Sequence, residues 1–197
     1  MIRLLTLSLF SALILSAQTT AVISQPQGEY LIPPDPLRDP WQKPDQVISA
    51  LNFSTSETVA VIENGYPYFP QRIAPYVKKV YAVNSDNRSF QGRGALPPSI
   101  STIVSTAGDP HIQGLSFDTV ILVDVLRLLP QRLPYYLGIA AGLKPGGRLV
   151  VIDRNLPSTR PSALTDQSLQ NELPGAGFRL GQKFTFLPYQ YFLVFQF

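Results

Sequence analysis

Leu143–Asp153 reads LKPGGRLVVID. A Lys-Pro-Gly-Gly turn leads directly into Gly147–Asp153, an aliphatic run that ends on an acid. Proline and glycine punctuate the chain here, and the run after them is apolar without alternation, as in a strand covered on both faces. Glycine in the turn relieves backbone strain on entry to a buried strand, so its role is structural.

Working outward, Asp118–Val123 (DTVILV) is a second strand of the same kind, and Pro134–Leu143 is the helix between the two. Further upstream lie Ser101–Ser105 (STIVS), Val80–Val83 (VYAV) and Val59–Ile62, each a short β-rich run. Gln71–Val77 sets Ile73, Ala74 and Val77 on one helical face. Downstream, Ser162–Leu173 reads as a polar-faced helix closed by Pro174-Gly175. Phe178–Leu187 and Tyr191–Phe197 are two β runs separated by a turn at Pro188, an antiparallel hairpin. Its aromatic residues, Phe192 among them, suit either packing at a sheet edge or the lining of a substrate site. Strand–helix alternation predicts an α/β fold, with a mostly parallel sheet and the hairpin at one edge. A crossover helix is expected between Asn84 and Ile100. Gly92, Gly94, Pro97 and Pro98 leave room for little more than a turn or two, so that crossover reads as a loop.

The chain has 197 residues, 45% of them apolar, enough for one domain with a sizeable core. A net charge of +3 without a Lys/Arg block does not point to a nucleic-acid partner. There is no cysteine, which removes disulfides, thiolate zinc sites and a thiol nucleophile. The single histidine, His111, excludes a multi-histidine metal centre, and in DPHI it reads as an ordinary loop side chain. No metal site is expected.

The N-terminus has its own pattern. Met1-Ile2-Arg3 carries one positive charge, Leu4–Ala17 is leucine-rich, and small polar residues follow to Thr19-Thr20-Ala21. That is the order of a secretory signal. The apolar run falls short of the roughly 20 residues needed to span a bilayer, though an uncleaved anchor is the alternative. Residues 1–21 are therefore read as a signal peptide and the mature chain as periplasmic or secreted, with no stable membrane span after cleavage. Residues 22–44 form a proline-rich arm that contains Trp41 and is not expected to be helical. The domain proper is 45–197, opening on a short helix over Asp45–Leu51.

Taken together, the five parallel-type strands, a glycine-bearing first turn (Glu63-Asn64-Gly65), the KPGG turn and the closing hairpin resemble class I S-adenosylmethionine-dependent methyltransferases. The similarity runs from about Trp41 to Phe197. Its best local matches are LKPGGRLVVID and Phe117–Leu122, FDTVIL. The resemblance implies a Rossmann-like three-layer sandwich around a seven-stranded sheet, and S-adenosylmethionine as the cofactor. It also assigns residues. In that family the first strand ends in an acid, and about three glycines then let the backbone approach the cofactor, whose carboxylate is favoured at a helix N-terminus.

With Tyr68-Phe69 and Arg72-Ile73-Ala74 setting the register, Val61 takes the acidic position, while Glu63, Gly65 and Pro67 take the glycine positions. A slipped register puts Glu63 at the acid and Pro67 and Phe69 on glycines. Asn84 stands where the family uses an acid for the ribose hydroxyls, with Asp86 two residues on as a substitute. Asparagine there gives up a charge-assisted contact. Asp109 stands where an acid contacts the adenine amino group, although Asp-Pro is also common turn chemistry. Asp124, after the fourth strand, is the candidate catalytic group. Glu63, Gly65, Asn84 and Asp109 are thus the candidate cofactor residues. The altered loop, Asn84 and the export signal together describe a degenerate, exported member, a module for a small ligand or protein partner. The alternative is an active methyltransferase on an unknown small or envelope substrate.

Overall fold

The computed structural model describes residues 35–91, 96–155 and 164–197. The signal-like segment, most of the arm and Ser162, where the last helix was expected to begin, lie outside them.

Seven strands form one sheet in the order β3-β2-β1-β4-β5-β7-β6. In chain order they are β1 (Thr58–Glu63), β2 (Lys79–Asn84), β3 (Ile100–Val104), β4 (Phe117–Val123), β5 (Leu143–Arg154), β6 (Arg179–Phe184) and β7 (Gln190–Gln196). The first five are parallel; β7 runs antiparallel to both β5 and β6. The hairpin therefore closes one edge, as the sequence predicts.

Two apolar clusters cover the two faces, and alternate strand residues divide between them. Ala60, Ile62, Val120 and Leu122 pack with Tyr135, Tyr136 and Ile139 of α4 (Arg132–Gly142) and Leu169 of α5 (Asp166–Glu172). Val59, Val61, Ile121 and Val123 pack with Val47, Ile48 and Leu51 of α2 (Pro44–Leu51) and Phe69 and Ile73 of α3 (Tyr68–Ile73). The result is a Rossmann-like three-layer sandwich. The unbroken apolar runs of the central strands follow from burial on both sides.

Local differences have local causes. The proline-rich arm contains a one-turn helix, α1 (Asp39–Gln42), where the sequence suggested none; Pro40 sits in its first turn, where a missing N–H costs nothing. The helix expected over Gln71–Val77 starts earlier, at Tyr68, and tightens to a 3₁₀ turn over Ala74–Tyr76, with Pro75 early in that turn. Lys144–Gly147 is not a turn before β5 but an excursion within it. Leu143 pairs with Phe117 and Arg148 with Thr119, and Gly146 takes φ +76° between them. The crossover after β2 holds a 3₁₀ turn over Asn87–Phe90. Among the described residues, no helix is long and apolar enough to cross a membrane.

Candidate functional site

In open α/β sheets ligands bind beyond the carboxyl ends of the strands. Here β1 ends at Glu63, two residues beyond Val61, which is a core residue of the strand with no exposed surface. Glu63 is itself buried, 3% exposed. Its Oε1 accepts the Phe69 N–H at 3.2 Å, in the first turn of α3. Its Oε2 lies 3.3 Å from Nη2 of Arg38. The chain's own carboxyl group thus occupies the N–H groups at the start of that helix, where the resemblance places the carboxylate of a cofactor. Pro67, just before α3, adds no donor. Burial pushes the Glu63 carboxyl up to about 7, against the pull of Arg38 and the Tyr68 and Phe69 amides.

Asn84 ends β2, 3% exposed. Its Nδ2 donates to the carbonyl oxygens of Glu63 and Gly65, both at 2.8 Å, and its Oδ1 accepts the Asp86 N–H at 2.9 Å. Two carbonyls and one N–H fix which end of the amide is which. Each polar atom of the side chain has a partner within the chain, so it is a clamp between β2 and the first loop. Gly65 is the residue that permits this path. Its φ is +84°, a conformation glycine adopts freely, and it turns its carbonyl toward Asn84. Asp86 turns out to solvent and pairs with Arg88 at 2.7 Å.

Asp109 lies in the loop after β3, where it organises that loop. Its Oδ1 accepts the His111 N–H at 2.7 Å and Nε2 of Gln113 at 2.8 Å, and its backbone carbonyl receives Thr106 N–H at 2.8 Å. The Gln113 and His111 contacts hold its carboxyl below the usual range. His111 has φ +55°, and its Nδ1 is 2.8 Å from the Val104 carbonyl oxygen. Asp124 follows β4 with φ +52° and accepts Nε2 of Gln190 on β7 at 3.1 Å. Asp153 on β5 is buried, which raises its carboxyl, and it caps the Leu126 N–H at 3.1 Å. Among the described residues, no three His, Asp or Glu side chains converge to hold a metal ion.

Among the described residues, a cleft of about 50 Å³ at these ends is lined by Glu63, Asn64, Asn84, Ser105, Val125 and Tyr135, with their neighbours. Small-molecule pockets run to about 300–1,000 Å³. Glu63, Gly65 and Asn84 meet at this cleft; Asp109 and Asp124 each answer to other partners. As bonded, these residues do not fit S-adenosylmethionine. The residue that the resemblance assigns to its ribose is committed to the loop, and the position that the resemblance assigns to its carboxylate is filled.

Two further residues, Arg38 and Asp39, complete the arrangement and carried no signal in the sequence. The guanidinium carbons of Arg38 and Arg72 each lie 3.9 Å from the centroid of the Tyr68 ring. Asp39 accepts the Tyr68 hydroxyl at 2.5 Å and Nη2 of Arg72 at 2.7 Å.

No protein-family model and no curated protein matches the sequence. Solved structures do. A SAM-dependent methyltransferase from Aquifex aeolicus superposes with a TM-score of 0.66 at 18% identity, over 82% of this chain and 93% of that one. The N-methyltransferase NodS from Bradyrhizobium japonicum gives 0.63 at 16% identity, over 81% and 95%. An S-adenosylmethionine-dependent methyltransferase from Mesorhizobium loti gives 0.61 at 12%, over 77% and 96%. The fold is that of the class I S-adenosylmethionine-dependent methyltransferases.

Proposed function

We propose that this protein is an exported, degenerate member of the methyltransferase superfamily that holds a small-molecule ligand or a protein partner and transfers methyl groups weakly or not at all. The observation that carries this reading is the Asn84 amide. A family site would present an acidic acceptor to the ribose at the end of β2; here Oδ1 of Asn84 already accepts the Asp86 N–H, and both its N–H groups are spent on the Glu63 and Gly65 carbonyls. Glu63 at the start of α3 and the small cleft support the same conclusion. The signal-like order of Met1–Ala21 supports export, and S-adenosylmethionine is made in the cytoplasm. Retained methyl transfer on a small or envelope substrate is the competing reading.

Calorimetric titration of residues 22–197 with S-adenosylmethionine tests the loss of cofactor binding, and no binding is expected up to millimolar ligand. N-terminal sequencing of the chain recovered from outside the cytoplasm tests export. A start near Val22 is expected; a chain retained inside with Met1 intact would contradict it.

A further inference from the structure

The segment Asp35–Lys43 is tied along the ligand side of the sheet by side chains at its middle and at its C-terminal end. Arg38 reaches Glu63, and Asp39 reaches Tyr68 and Arg72 on α3. Lys43 Nζ donates to the Phe186 carbonyl at 2.9 Å, in the connection between β6 and β7 at the same edge. Arg38 also donates through Nε to Oε1 of the buried Gln42 at 2.5 Å. Few backbone hydrogen bonds tie this segment to the domain, whereas α2, which follows it, sends Val47, Ile48 and Leu51 into the core. A segment held by side-chain contacts over a buried, ionisable carboxyl can open on its own.

We propose that Asp35–Lys43 is a releasable strap, fastened over the first loop while Glu63 is uncharged and let go as Glu63 ionises and takes up water. This goes beyond the functional reading above and does not rest on it. The direction follows from linkage. With the strap in place Glu63 is buried and binds a proton up to about pH 7. With the strap off, water reaches it and its affinity for the proton falls toward that of an ordinary carboxyl. The fastened state is therefore the one that takes up the proton, so acid closes the strap and rising pH loosens it.

Arg38, the only charged group bonded to Glu63 among the described residues, opposes this by favouring the ionised form, but burial outweighs it. The other groups around Glu63 do not compete. On α3, Arg72 is committed to Asp39; β2 presents the Asn84 amide with Asp86 paired beyond it; and β4 presents Val123. Full exchange between the two environments, from about 7 to the ordinary 4.5, changes the strap equilibrium by about three-hundredfold.

Trp41 makes the motion visible. It is the only tryptophan in the chain, it lies within the strap, and its indole Nε1 donates to the Leu37 carbonyl at 2.6 Å. Iodide quenching of its fluorescence in the full chain is followed from acid to alkaline pH. The expected result is a sigmoidal rise in accessibility with a midpoint near 7, lost in Glu63→Gln, whose Trp41 stays protected throughout. Arg38→Ala is expected to expose Trp41 at every pH while thermal unfolding remains cooperative. A flat profile in the unaltered chain, or the same midpoint in Glu63→Gln, overturns the proposal. A measurement without variants stands beside it. Exchange of the Gln42 and Lys43 amides, which bond the Arg38 and Asp39 carbonyls, is corrected for the intrinsic rate. Protection that falls across the same pH range agrees with the proposal; constant protection overturns it.

Discussion

Asn84→Asp is expected to lower the unfolding free energy by about 2–4 kcal/mol and to restore no cofactor binding. The change looks like a return to the acid that related enzymes carry, yet the structure makes it disruptive. Asparagine donates to the Glu63 and Gly65 carbonyls, both at 2.8 Å. An ionised aspartate has nothing to donate, so it would face two oxygens at that distance with a charge that is almost wholly buried. Two carbonyls lose their donors together, and the loop they belong to loses its tie to β2. Urea denaturation monitored by circular dichroism reads the loss as a lower midpoint. A variant as stable as the parent would mean that the Asn84 amide does not clamp the loop.

Phe192→Ala is expected to cost about 3–5 kcal/mol. Phe192 has no exposed surface and sits between two other rings. Phe184 lies 4.6 Å away by centroid, and Phe186 stands edge-on at 5.8 Å. Deleting it opens a cavity in the face of the sheet that α2 and α3 cover, and neighbouring strands cannot collapse to fill it. The comparison is Tyr189→Ala in the same hairpin, where the side chain is 65% exposed and the expected change stays within about 0.5 kcal/mol. The pair distinguishes packing from ligand lining. A small loss at Phe192 would say that its ring fills no core, leaving the lining of a site as its role.

The central strands were legible because burial on both faces leaves an unbroken apolar run in the sequence, as in Val120–Val123 and Leu149–Ile152. The hairpin was legible from its spacing about Pro188. Element ends were less so. The 3₁₀ turn that tightens the end of α3 and the excursion of Lys144–Gly147 within β5 are settled by packing and pairing, which the local pattern does not encode. The site shows the same division. Residue types at Glu63, Gly65 and Asn84 could be read as departures from a family pattern, but their partners could not. Arg38 lies 25 positions before Glu63, in a stretch that reads as a proline-rich arm. Asparagine at a ribose position reads equally as a weakened contact or a turn residue. Only the fold brings it to two carbonyls 19 and 21 positions away, which turns a candidate ligand-binding residue into a clamp.

Whether the first loop, closed by Asn84 and Glu63, admits the cofactor separates a binding module from a working methyltransferase. Calorimetric titration of residues 22–197 with S-adenosylmethionine, and separately with its demethylated product, measures that directly. No saturable heat is expected for either up to millimolar concentration. A micromolar dissociation constant that disappears in Gly65→Trp would contradict it, because binding would then pass through the loop described as shut.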